Sequence, residues 1–192
     1  MSTKTGLFID SFPIFHRGHE LCMKYAQHEV DDLIVLIFND QNAEIPLPIR
    51  TNWIKQLYPD IEVIESWFDF NNDGETTLIQ KQFLDRVLNG REITHLYSSE
   101  FGTEHLCEQL NLKNRIIPSI KTRIKKVTDN IRQNSYANIA NMNPLVYREL
   151  ITNIAFVGAQ STGKSTITEA LAKRFNTQFM FEYGRYHWDV YQ

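Results

Sequence analysis

Gly6-Leu7-Phe8-Ile9-Asp10-Ser11-Phe12-Pro13-Ile14-Phe15-His16-Arg17-Gly18-His19 is the stretch that decides the fold of this chain. Its first four residues form a short apolar run of the kind a buried strand needs, and residues 10–19 read as a turn. Leu21, Met23, Ala26 and His28 then begin a helical spacing expected to reach Glu29. Strand, turn and helix in this order open an α/β pattern, and the pattern continues along the chain.

Leu33-Ile34-Val35-Leu36-Ile37-Phe38 is continuously apolar and β-branched, bounded by Asp31-Asp32 and Asn39-Asp40. Such a run fits a parallel strand covered on both faces. A helix is expected from Arg50 to Leu57, stopped by Pro59, then a strand at Ile61–Ile64 and a helix at Thr77–Leu88. Thr94–Ser98 reads as a strand, Thr103–Leu110 as a helix and Asn114–Ile117 as a short strand. The fold class is therefore α/β with a mainly parallel, Rossmann-like sheet. In such sheets ligands bind at the carboxyl ends of strands, which puts residues 10–19, Asn39-Asp40 and Ser98-Ser99-Glu100 at the site. The asparagine-rich stretch Gln133–Pro144 reads as a link. It separates a first domain, residues 1–147, from a second, residues 148–192, which opens with a strand at Ile154–Val157 and a helix at Ser165–Arg174.

The chain has 192 residues, 42% of them hydrophobic and 12% aromatic, enough for a core. A net charge of −3 does not suit binding nucleic acid by bulk charge, so anions must be met by local basic groups and backbone amides. No run approaches the ~18–20 apolar residues of a membrane span. The residues before Gly6 carry no apolar signal core, and a cytoplasmic protein is expected. Cys22 and Cys107 each lie beside leucine in helix-like segments and read as small buried hydrophobes.

His16 and His19 stand three apart where a helix begins after a strand. Gly18 removes a Cβ from the backbone there. The helix start offers unpaired amides and the positive end of its dipole to phosphate, and imidazole donors can stabilise charge developing on it. A metal site would need a third ligand that the neighbouring residues do not supply.

With these residues the sequence resembles the HxGH-bearing nucleotidyltransferase superfamily, which transfers a nucleoside monophosphate onto a phosphate acceptor. Tyr97-Ser98-Ser99-Glu100-Phe101-Gly102, followed by Glu104-His105, is similar to a segment of nicotinamide mononucleotide adenylyltransferases. Pro48, Arg50 and Trp53 are similar to their arginine-bearing helix start, and Ile131-Arg132-Gln133-Asn134 to the end of their second phosphate motif. The whole order, through Glu182-Tyr183-Gly184-Arg185, resembles the bifunctional NadR-type family, which joins that adenylyltransferase to a ribosylnicotinamide kinase. The resemblance implies His16, His19 and Arg132 as catalytic residues, Arg132 on the leaving pyrophosphate. It implies Phe12, Gly18, Thr128 and Ile131 at ATP, and Arg50, Trp53, Ser98, Ser99 and Glu100 at the mononucleotide. Asp10 stands where the family has glycine, and the second phosphate motif is one residue short, with Thr128 in the place of serine. Thr128, Asp129 and Asn130 are all competent helix caps, so a helix start is expected there. Arg123, Lys125 and Lys126 read as a solvated basic face that also raises the local potential. Trp67 reads as a core edge or as a stacking surface for a base.

Gly158-Ala159-Gln160-Ser161-Thr162-Gly163-Lys164-Ser165-Thr166 fits the P-loop pattern. The amides of Gly158 and of Ser161–Thr166 would cradle phosphates, Lys164 would reach the β- and γ-oxygens, and Ser165 would hold Mg²⁺. A working P-loop kinase needs more strands than Ile151–Gln192 contains, so kinase activity is not expected from these residues alone. Ile154, Phe156, Phe175, Phe179 and Phe181 are then expected to expose apolar surface that packs on the first domain or on a second copy in a homo-oligomer, a partly disordered tail being the other outcome. The expected reaction makes NAD and pyrophosphate from ATP and nicotinamide mononucleotide, with Mg²⁺ carried by ATP. The alternatives are transfer to another phosphorylated acceptor such as phosphopantetheine, a nucleotide-binding module without turnover, and a ribosylnicotinamide kinase in a longer chain.

Overall fold

The computed structural model describes residues 3–67, 77–99, 107–108, 112–115 and 118–180. The chain divides into two compact units, Met1–Leu150 and Ile151–Gln192.

The first unit is built on a five-stranded, wholly parallel sheet: β1 (Thr5–Asp10), β2 (Asp32–Phe38), β3 (Glu62–Ser66), β4 (His95–Tyr97) and β5 (Lys113–Asn114). The spatial order is β3-β2-β1-β4-β5. β1 pairs with β2 on one side, Phe8 opposite Val35, and with β4 on the other, Phe8 opposite Tyr97. The chain winds outward to β3 before returning beside β1, so the connections diverge between the carboxyl ends of β1 and β4. A crevice for ligand is expected at that divergence.

Both faces of the sheet are covered, as the unbroken apolar run of β2 demands. On one face Phe8, Val35, Ile37 and Tyr97 pack with Met23, Ala26, Trp53, Ile54, Ile124 and Val146. On the other, Leu7, Ile9, Ile34, Leu36 and Leu96 pack with Leu84, Leu88 and Cys107. The first face takes α1 (Arg17–Glu29), which buries His19, Cys22, Met23 and Ala26 at helical spacing. It also takes α2 (Leu47–Leu57), whose first turn carries proline where no amide is needed. α3 (Thr77–Leu88) coincides with the span read from its apolar spacing. α4 (Pro118–Gln133) lies against α1. Both cysteines are buried thiols outside any disulfide, and burial pushes the Cys22 thiol up to about 12.

Three expectations are corrected here. Thr128, Asp129 and Asn130 lie deep in α4 rather than at a helix start, because the helix already begins at Pro118. The stretch Gln133–Pro144 is not a free link. After a 3-10 turn at Ile139–Asn141, Met142 enters the first core, followed by Val146 of α5 (Pro144–Leu150). Ile154–Val157 is irregular rather than a strand. A strand needs a neighbour for its amides and carbonyls, and among the described residues none pairs with it.

In the second unit α6 (Lys164–Phe175) follows the P-loop. Ile154, Val157 and Phe175 are exposed by 74%, 91% and 72%, and Phe156 is also exposed, so the expected apolar surface is there. Phe179 is half-buried, and Phe181 lies outside the described residues. No described helix is long and apolar enough to cross a membrane.

Candidate functional site

The site sits where β1 ends. Asp10, almost fully buried, turns its carboxylate across the divergence between β1 and β4. Oδ1 accepts the Phe12 amide at 2.9 Å, and Oδ2 accepts the Ser99 amide at 3.0 Å and the Ser99 hydroxyl. Burial pushes the Asp10 carboxyl above the ordinary carboxylate range, while these bonds pull it back. Phe12 is held at φ 42°, a left-handed conformation unusual for a bulky residue, with its ring fully buried. Strain of this kind persists only where the surroundings enforce it. Here the Asp10 bond and ring contacts to Phe8 at 5.6 Å and Phe15 at 5.4 Å do so.

The turn delivers His16 to the N-cap of α1. His16 Nδ1 accepts the Gly18 amide at 3.0 Å, and the His16 amide donates to His19 Nδ1 at 3.2 Å. Two imidazoles thus perform the reciprocal capping that serine and glutamate usually supply. Gly18 is required by this arrangement: a Cβ there would lie 2.8 Å from His16 Cε1 and 3.0 Å from Ile124 Cγ1. His16 Nε2 stands 3.1 Å from Thr128 Oγ1. The two rings lie 4.1 Å apart between centroids. The His19 ring stacks on Phe15 at 5.7 Å and meets Phe12 edge-on at 5.3 Å.

Both histidines are fully buried, and burial favours the neutral ring. It pushes His19 down to about 3; for His16, burial first and the neighbouring His19 second push it down to about 2. A backbone amide can only donate, so each Nδ1 is an acceptor and each neutral ring carries its proton on Nε2. His16 gives that proton to Thr128. His19 Nε2 is buried and has no partner among the described residues. A buried N–H left this way costs about 1–3 kcal/mol unless something binds it.

The remaining residues divide clearly. Arg50 is buried, with Nε on the Ile45 carbonyl at 2.8 Å and Nη1 on the carbonyls of Ser11 and Phe38. It ties the ends of β1 and β2 together. Trp53 and Ile131 are core residues. Ser98 and Ser99 are buried beyond the end of β4, and Glu100 lies outside the described residues, as do Phe101, Gly102, Glu104 and His105. Arg132 is in the last turn of α4, its Nη1 3.8 Å from Asp129 Oδ1 and partly solvated. Arg123, Lys125 and Lys126 are exposed on the same helix, and Trp67 is 70% exposed after β3. The structure therefore brings His16, His19, Gly18, Phe12, Ser99 and Thr128 together around the start of α1. The sequence reading missed the parts of Asp10 and Ile124, whose partners lie far away along the chain. Among the described residues no group of three or more His, Cys, Asp or Glu side chains could hold a metal ion.

In the second unit the P-loop is open to solvent. Gly158, Ser161 and Gly163 all have positive φ, at 157°, 62° and 82°. Gly163 is the N-cap of α6 and offers no side chain there. Thr162 Oγ1 and Lys164 Nζ both donate to the Ala159 carbonyl, at 2.8 and 2.7 Å. Ser165 and Thr166 are exposed in the first turn, and Glu182–Arg185 lies outside the described residues.

Residues 153–190 match a family described as an AAA domain. The chain is 24% identical over 202 aligned positions to the trifunctional NAD biosynthesis/regulator protein NadR of Escherichia coli (strain K12). To the protein of the same description from Salmonella typhimurium (strain LT2) it is 23% identical. Each alignment covers 94% of this chain and 48% of the relative, so the chain spans about half the length of these curated relatives. Among solved structures, NadR protein in complex with NAD and AMP-PNP superposes with a TM-score of 0.70 at 17% identity, over 99% of this chain and 59% of that one. NadR protein in complex with NR gives 0.69 at 18%, over 100% and 56%. At these identities the superpositions establish the shared fold.

Proposed function

We propose that the Met1–Leu150 unit is a nucleotidyltransferase that adenylates nicotinamide mononucleotide, forming NAD and pyrophosphate from ATP. The observation that carries this reading is the buried Nε2–H of His19 at the amino end of α1, without a partner among the described residues. A neutral donor, fixed in direction and set beside helix-start amides, suits an anionic oxygen that gains charge during reaction. The similarity to NAD biosynthesis proteins, and a neighbour solved with NAD and AMP-PNP, support the choice of nucleotides.

An oxygen of the mononucleotide 5′-phosphate attacks the α-phosphorus of ATP in line, and the bond to the bridging oxygen breaks as pyrophosphate leaves with the electron pair. No covalent intermediate on the protein is needed, so catalysis is positioning and charge stabilisation. His19 Nε2–H meets an α-phosphate oxygen, and Arg132, partly solvated beside Asp129, is the cation we assign to the leaving group. Mg²⁺ travels on the triphosphate and neutralises its charge. Phe12, Gly18 and Thr128 shape the ATP side; Ser98 and Ser99 would serve the mononucleotide, a role we extend to Glu100 by resemblance alone, with Arg50 holding the strand ends that frame it. We take the protein to be cytoplasmic, where these substrates occur.

The test is NAD formation from ATP, nicotinamide mononucleotide and Mg²⁺, beside His19→Ala. Turnover that drops by about a hundredfold or more in the variant is expected. A wild-type chain that binds ATP and releases no pyrophosphate would overturn the enzyme reading in favour of a nucleotide-binding module.

A second reading concerns the other unit. The complete P-loop, with Lys164 over the loop and Ser165 placed to offer one oxygen to Mg²⁺, favours nucleoside triphosphate binding there. In a longer chain it would serve phosphorylation of ribosylnicotinamide, a reading supported by the neighbour solved with NR. ATP-dependent phosphorylation of ribosylnicotinamide by the longer chain, lost in Lys164→Ala, is the check.

A further inference from the structure

We infer that Thr128 is a positioning residue of the proposed transfer site: its hydroxyl holds His16 in one tautomer and thereby fixes the helix start from which His19 offers its Nε2–H. The inference rests on the nucleotidyltransferase reading of that site.

The Gly18 amide sets the hydrogen-bond directions in this chain of contacts. The Ile124 carbonyl can only accept, so the Thr128 hydroxyl, 3.1 Å away, gives its single proton there. Thr128 Oγ1 is left with lone pairs alone for His16 Nε2 at 3.1 Å, which must carry the proton. From the other side, the Gly18 amide can only donate to His16 Nδ1, which must therefore be bare. The Gly18 amide demands this tautomer, and Thr128, 112 residues away on α4, is placed to accept the Nε2 proton beside the Ile124 carbonyl that the His16 ring also meets. His16, His19, Ile124 and Thr128 are all buried, and the Gly18 amide is partly so.

The consequence reaches His19 through the cap. If His16 flipped or moved its proton to Nδ1, an N–H would face the Gly18 N–H and the cap would open. The His16 amide that holds His19 Nδ1 would shift with it. The hydroxyl of Thr128 is thus spent inside the protein, and its service to substrate is indirect. A back-bond from threonine to the carbonyl four residues earlier is common in helices. Here it turns the hydroxyl oxygen into a one-way acceptor for another helix.

Thr128→Val keeps the shape and removes the acceptor; Thr128→Ser keeps the hydroxyl. With 15N-labelled histidine, NMR should show His16 as the Nε2–H tautomer in the wild type and in Thr128→Ser, and a mixture or the other tautomer in Thr128→Val. In the NAD-forming assay, kcat of Thr128→Val should fall about tenfold or more, the order expected from one lost buried hydrogen bond, with KM for ATP little changed. Thr128→Ser should recover most of that loss. A wild-type His16 protonated on Nδ1, an unchanged tautomer and rate in Thr128→Val, or a serine variant as slow as valine would each overturn the inference. If the wild type forms no NAD, the adenylyltransferase reading fails, while the spectra still decide the role of Thr128. If Thr128→Val does not fold, the wild-type spectrum and the serine variant decide it.

Discussion

Asp10 and Ser99, 89 residues apart in sequence, are joined by two hydrogen bonds that close the gap between the ends of β1 and β4. With the Phe12 amide, three donors converge on one buried carboxylate. Asp10→Asn keeps the shape and turns one acceptor into a donor facing N–H or O–H groups. It should cost about 2–3 kcal/mol, the range for a hydrogen bond to a charged group plus a stranded donor. Urea unfolding followed by tryptophan fluorescence reads this directly, and a change below about 0.5 kcal/mol would show that the bonds carry little.

The two histidines make stability depend on pH. Their folded values, about 2 for His16 and about 3 for His19, lie below the ordinary 6.5, so the unfolded chain binds more protons between those limits. Stability is therefore lost as pH falls below about 6.5. Between pH 7 and 5 each histidine should contribute a loss of roughly 2 kcal/mol. Asp10, raised by burial, works in the opposite sense, gaining stability as pH falls through its folded value. Unfolding free energies at pH 7, 6 and 5 test this. A flat profile would mean that both rings take up protons in the folded chain.

Much of this architecture was legible because its signals are local. The unbroken apolar run at Leu33–Phe38 implies a strand buried on both faces, and β2 lies second from the edge of a parallel sheet. The apolar spacing over Thr77–Leu88 reproduces α3 to the residue. What could not be read depends on contacts distant in sequence. Asp10 looked like a departure from a glycine because its partner is Ser99. Thr128 looked like a cap because threonine, aspartate and asparagine favour caps, yet the helix starts ten residues earlier and uses the hydroxyl against His16. Ile154–Val157 has the composition of a strand, but a strand forms only beside another.

Gly18→Ala sets two effects against each other. Alanine is favoured over glycine in a helix by about 1 kcal/mol. The new Cβ would stand 2.8 Å from His16 Cε1 and 3.0 Å from Ile124 Cγ1, and overpacking of this kind costs about 1–3 kcal/mol. The net loss of stability should be small, about 1 kcal/mol. The larger effect should fall on activity, because the atom displaced belongs to His16. Turnover in the NAD-forming assay should drop by about tenfold or more while unfolding changes little. An active Gly18→Ala would show that His16 can move without harm.

Lys164→Ala separates the two nucleotide sites. The lysine stands at the end of an open loop and donates to the Ala159 carbonyl. Removing it should change stability by less than about 0.5 kcal/mol, the usual bound for a surface substitution. The charge is what the loop would bring to the β- and γ-phosphates, so triphosphate binding by the second unit should weaken at least tenfold. NAD formation at the first site should stay at the wild-type rate, since Lys164 belongs to the other compact unit. Titration with a fluorescent ATP analogue should then resolve two binding steps in the wild type and one in the variant. Two unchanged steps would remove the P-loop from nucleotide binding, and a loss of NAD formation would show that the two sites act together.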